Sequence, residues 1–191
     1  LINPISGQDI TSSLLGRLVT VSQSGEKADL IRRTLSGKTA GNWSVAEGKL
    51  GSNAVSSKVR VYEEVLSGAP LNAINVSDID LTSVPASQIK YTVQDNAGTV
   101  TNIVLGDVTG ESWIYGIGYG KRAKTDEEDG NSPEYVVLRH WDGAKQEEST
   151  FRVLTLPRGL GGVPIAVPRG YSTDESIVNT SLDTLKLTLI D

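Results

Sequence analysis

Hydrophobic and polar residues alternate singly along most of this chain, and helical spacing is rare. In "QIKYTVQ" (88–94), Ile89, Tyr91 and Val93 fall on one side while Lys90, Thr92 and Gln94 fall on the other. "LKLTLI" (185–190) repeats the device with Leu185, Leu187 and Leu189. A period of two, bounded by clusters of Gly, Asn, Asp and Ser, marks half-buried strands of antiparallel sheet. The pattern predicts strands near 15–22, 28–35, 43–50, 57–65, 88–94, 99–105, 112–121, 134–141, 149–156, 163–167 and 184–190. Between "IKYTVQ" and "TVTNIVL", the stretch "DNAG" supplies a hairpin turn with Gly98 available for positive φ. Helix signals are thin. Ser172 and Glu175 stand in capping-box spacing, enough for one short turn. "SDIDLTSVPA" reads as a brief helical or irregular crossover that ends before Pro85.

The class predicted is all-β with minimal helix, as in small barrels or sandwiches. A faint internal echo refines it. Residues 16–48 run strand, charged turn, strand ending in Arg, glycine turn, then a strand with an aromatic; residues 115–156 follow the same order around a longer acidic turn. The expected organisation is an N-terminal extension (1–13) and two small antiparallel barrel- or sandwich-like units in tandem, 14–110 and 111–191.

One stretch looks most like chemistry: "TGESWIYGIGYGKR" (109–122). Its parity sets Trp113, Tyr115, Ile117 and Tyr119 on one face, and Gly116, Gly118 and Gly120 on the other. A dinucleotide fingerprint needs G-x-G-x-x-G opening a helix, whereas here the spacing is G-x-G-x-G and a polar turn follows. The expectation is a strand with one bulky and one bare face, the bare face admitting close approach of a neighbour.

Composition narrows the function classes. A net charge of -5 lacks the basic footprint of a nucleic-acid binder. The absence of Cys removes disulfides, thiolate zinc sites and cysteine nucleophiles together. Apolar runs fall far short of the ~20 residues that span a bilayer, so no membrane insertion is expected. The start at "LINPISGQDI" reads as a piece of a longer protein. No cofactor is implied.

The remaining candidates are few. "SGKT" lacks the earlier Walker glycine, since Arg32 stands five residues before Gly37. His140 is the only histidine, and a triad with Asp142 has no G-x-S-x-G serine to serve. The acids Asp126, Glu127, Glu128 and Asp129 lack EF-hand order and read as a solvated hairpin tip, with weak calcium binding as the alternative. No carboxylate pair for glycoside hydrolysis stands out, and no enzymatic activity is predicted. The aromatics leave two readings open. Trp113, Tyr115, Tyr119, Tyr135, Trp141 and Phe151 all fall between 113 and 151, either as the core of the second unit or as a platform that stacks on sugar rings. The platform would comprise Trp113, Tyr115, Tyr119, Tyr135 and Trp141.

The segment "VSSKVRVYEEV", and then "VSDIDLTSVPASQIKYTVQDNAGTVTNIVLGDVTGESWIYGIGYG", resembles a β-rich region of surface proteins from Gram-positive gut bacteria that also carry S-layer homology domains. The matching positions run from Val55 to Tyr62 and from Ile79 to Gly116, about a quarter of the chain. The resemblance implies a non-catalytic, extracellular structural or spacer module at the cell surface or wall. Its partners would be other domains of the same longer chain and, for an aromatic platform, cell-wall polymer or another glycan. The S-layer homology repeats themselves have no counterpart in these residues.

Overall fold

A computed structural model describes residues 16–25, 27–32, 35–122, 134–153, 156, 158–171 and 176–177. The predicted strand at 184–190, the capping box at Ser172, the acidic stretch 126–129 and the extension 1–13 lie outside the described residues. The chain divides into two compact units, Leu1–Ser112 and Trp113–Asp191.

The first unit contains nine strands among the described residues: β1 (Val19–Ser24), β2 (Lys27–Arg32), β3 (Trp43–Ser44), β4 (Lys49–Leu50), β5 (Asn53–Glu63), β6 (Asn72–Ile74), β7 (Ser83–Val84), β8 (Ile89–Gln94) and β9 (Val100–Leu105). β1 and β2 form a separate hairpin; the other seven make one sheet in the order β7-β3-β4-β5-β9-β8, with β6 also on β5. The expected strand at 43–50 is a hairpin instead, because the chain turns at 45–48 and Gly48 adopts φ 60°. The crossover after β6 is two 3-10 turns, Val76–Asp78 and Ala86–Gln88, around the short β7.

The second unit holds β10 (Trp113–Arg122), β11 (Glu134–Trp141), β12 (Gln146–Val153), β13 (Gly161–Pro168) and β14 (Ser176–Ile177) in one sheet ordered β13-β10-β11-β12-β14. Both large sheets are open, with no closed barrel among the described residues. Nor is either wholly antiparallel: β5 pairs β9, and β12 pairs β14, in parallel. Parallel neighbours need a long crossover, and the excursion through β6, β7 and β8 provides it for β5 and β9.

Alternation decides what each sheet buries. In the first unit Trp43, Leu50, Val61, Val84, Ile89, Val100, Ile103 and Leu105 form the core. In the second, Val136, Leu138, Phe151, Val153, Leu160, Ile165 and Val167 do so.

Candidate functional site

The glycine-rich stretch lies fully extended as β10. Its glycines sit on the core side. A β-carbon at Gly118 would strike the side chain of Ile165, one at Gly120 would meet Leu156, and one at Gly116 would run into the Arg139 carbonyl. The space over Gly118 and Gly120 is thus filled by the side chains of Ile165 and Leu156, with no room for a ring at either position. Tyr115 and Ile117 face outward.

Register then builds a grid on that outer face. β10 and β11 pair with Gly116 opposite His140 and Ile117 opposite Arg139. Continuing by one residue brings Tyr115 opposite Trp141. On the far side of β11, Trp141 pairs Gln146, Arg139 pairs Glu148 and Val137 pairs Thr150. Three rows result: Tyr115–Trp141–Gln146, Ile117–Arg139–Glu148 and Tyr119–Val137–Thr150. Tyr115 and Tyr119, four residues apart on one strand, are separated by about 13 Å.

An open concavity of about 370 Å³ lies on this face, lined by Tyr115, Gly116, Ile117, Tyr119, Arg139, His140, Trp141 and Gln146. Trp141 is 65% exposed, Tyr115 46% and Ile117 37%. Large apolar side chains grouped so openly mark interaction surfaces in folded domains. The Arg139 guanidinium lies 4.7 Å from the Tyr119 ring centroid, a cation–π stack. Its Nε donates to Glu148 Oε2 at 3.1 Å. That hydrogen bond first, and the Tyr119 field second, hold the guanidinium above its ordinary pKa.

The structure therefore sorts the predicted platform. Tyr115 and Trp141 stand open at its centre, Tyr119 is half-buried with Arg139 over its ring, and Tyr135 is half-buried one row further along. Trp113 leaves the set: at 1% exposure it has no open face for a ligand. Phe151 joins the core. The idea that all these aromatics form the core is corrected for Tyr115 and Trp141, which stand open at the surface.

The other candidates resolve into structure. Lys38 of "SGKT" donates to the carbonyls of Ala86 at 2.8 Å and Ile89 at 3.0 Å. Asp142 Oδ1 accepts from the amides of Ala144 and Lys145 within its own turn, and these bonds, Lys145's first, lower its pKa. His140 Nε2 shares a 2.9 Å hydrogen bond with Ser149 Oγ, a pairing that no sequence spacing announced. A larger concavity in the first unit, about 780 Å³, is lined by Lys38, Glu64 and Lys90. Its charges are engaged internally: Glu64 takes Lys90 at 3.1 Å and the Gly68 amide at 2.9 Å.

Sequence reasoning also missed Glu63. It follows Val59 and Val61 in parity, so alternation carries a carboxylate into the core, where it is fully buried. Oε1 accepts from the amides of Val108 and Thr109, and Oε2 from Thr109 Oγ1 and Ser112 Oγ. Four donors satisfy the charge, as burial of a carboxylate demands. "DVTGES", rich in short hydroxyl side chains, was the available signal.

No protein-family model, curated protein or solved structure matches this chain.

Proposed function

We infer that the chain is a non-catalytic module of a bacterial cell-surface protein whose second unit binds carbohydrate through the outer face of its five-stranded sheet. One observation carries the binding reading: Tyr115 and Trp141 stand side by side, largely exposed, over an open concavity. The C–H faces of a pyranose carry slight positive charge and meet the negative face of an aromatic ring favourably. Arg139, Glu148 and Gln146 beside the rings offer donors and acceptors to hydroxyls. The surface location rests on the resemblance of the 55–62 and 79–116 stretches to S-layer-associated proteins. The non-catalytic reading rests on the same resemblance, which brings no catalytic residues to carry over.

The spacer reading keeps one observation in its favour. The Glu63 clamp fixes 108–112 onto the end of β5, so the first unit is held compact up to its last residue.

A glycan array and a cell-wall pull-down with the whole chain test the binding reading. Saturable binding that Trp141→Ala weakens by roughly 30-fold or more, as truncating an aromatic anchor does, supports it. No saturable binding to any glycan or wall preparation leaves the spacer reading alone.

A further inference from the structure

We propose that the Tyr115–Trp141 platform takes an uncharged polysaccharide, with Arg139 and Glu148 acting together as the pair that reads its hydroxyls. The inference rests on the carbohydrate reading above and adds the class of sugar. A lone arginine beside aromatic rings would favour an acidic glycan, since its fork matches carboxylate and phosphate. Arg139 is not alone. Glu148 neutralises it at 3.1 Å, and Tyr119 lies against the guanidinium plane. Both members of the pair are about half exposed, so a ligand reaches them. The bond between them engages Nε of one and Oε2 of the other, so it does not use the Nη groups or Oε1. A donor edge and an acceptor edge side by side suit neighbouring hydroxyls, each of which both donates and accepts. An anion at the same place would gain from Arg139 and lose to Glu148.

Long-range charge points the same way. The chain carries a net charge of -5. A polyanion approaching the unit therefore meets no net attraction.

The test uses polymers that share a backbone and differ in a neutral or a charged substituent: hydroxyethyl cellulose against carboxymethyl cellulose, and glycol chitin against carboxymethyl chitin. Retardation of the whole chain is measured in native gels containing each polymer. The wild type should bind a neutral polymer at least about threefold more tightly than its carboxymethyl partner at low salt. Arg139→Gln should weaken neutral binding about five- to tenfold, the worth of one or two hydrogen bonds. Glu148→Gln exposes the arginine charge and should shift preference toward the carboxymethyl polymer about threefold, an effect erased by 0.5 M salt. The double variant R139Q/E148Q should bind weakly but prefer neutral polymer again. Circular dichroism and thermal melting verify folding of each variant.

Equal or tighter binding of the carboxymethyl polymers by wild type overturns the inference and leaves the carbohydrate reading standing. Neutral preference that neither single variant alters removes the pair from recognition and overturns it too. Binding to none of the four polymers, with no hit on the glycan array, defeats both.

Discussion

Ser112 Oγ donates to Glu63 Oε2 at 2.7 Å in a site where both residues are buried. The pair ties the last residue of the first unit to the end of its longest strand, β5. Among the described residues no cation accompanies the carboxylate; backbone amides and hydroxyls carry its charge. Such a site holds only while every donor has an acceptor.

Two substitutions at Glu63 should separate charge from hydrogen bonding. Glutamine keeps a carbonyl oxygen for the Val108 and Thr109 amides, while its amino group donates to hydroxyls that rotate to accept. Glu63→Gln should therefore cost only about 1–2 kcal/mol. Glu63→Ala strands those donors in the core and should cost about 3–5 kcal/mol. Urea unfolding gives the magnitudes, and hydrogen exchange at Val108 and Thr109 localises the effect. Equal losses for the two variants would mean that charge, not acceptor geometry, stabilises the loop.

The bare face of β10 yields a second contrast. A methyl at Gly118 meets a side chain, that of Ile165, whereas a methyl at Gly116 meets the backbone carbonyl of Arg139. Gly118→Ala should destabilise by about 1–3 kcal/mol, and Ile165→Val in the same chain should recover part of it. Gly116→Ala should cost at least as much and gain nothing from Ile165→Val, because backbone does not shrink. Thermal melting of the three single and two double variants is the measurement. Recovery of both glycine variants by Ile165→Val would show that one shared strain, not two separate contacts, governs the strand.

How far the sequence carried can be seen at particular residues. The β8–β9 hairpin was legible because its determinants are local: Asp95 Oδ1 takes the amides of Ala97 and Thr99, and Gly98 adopts φ 82°. The two faces of β10 were legible from parity. Which face points inward was not, because it depends on Ile165, Leu138 and Leu156 arriving from elsewhere in the unit. The β5–β9 pairing was hidden for the same reason, since no local pattern names a parallel neighbour across the intervening segment. Glu63 was the hardest case. A carboxylate on an otherwise apolar parity reads as a strand end until its donors, some 45 residues later, are folded against it.

The tryptophans should report this division in solution. Trp43 and Trp113 are each 1% exposed and Trp141 is 65% exposed. Acrylamide should quench one fraction of the emission readily, and Trp141→Phe should abolish that fraction while leaving a blue-shifted remainder. Trp113→Ala should cost about 3–5 kcal/mol, the range for emptying a core aromatic site. Trp141→Ala should stay within about 0.5 kcal/mol of wild type. A large stability loss at Trp141 would mean that its ring is packed, and the open platform would then not exist in solution.

The turn that follows Trp141 makes the last prediction, and its sign follows from the direction of one pKa. Asp142 is lowered from the ordinary aspartate value of 3.8, chiefly because its carboxylate accepts the Lys145 amide and then that of Ala144. A depressed folded pKa adds stability that is fully present above the unfolded value and is lost as pH falls through the folded one. The turn should hold at neutral pH and down to about pH 4, then loosen only below that. Amide shifts of Ala144 and Lys145, followed by NMR, should titrate with a midpoint below the ordinary aspartate range. Asp142→Asn retains an acceptor oxygen and should remove this acid transition without opening the turn at pH 7. Because the turn fixes the end of β11, sugar binding at Trp141 should weaken over the same acidic window in the wild type and not in Asp142→Asn. A midpoint at or above the ordinary aspartate value would show that the two amide bonds do not persist in solution, and Trp141 would lose the support that orients it.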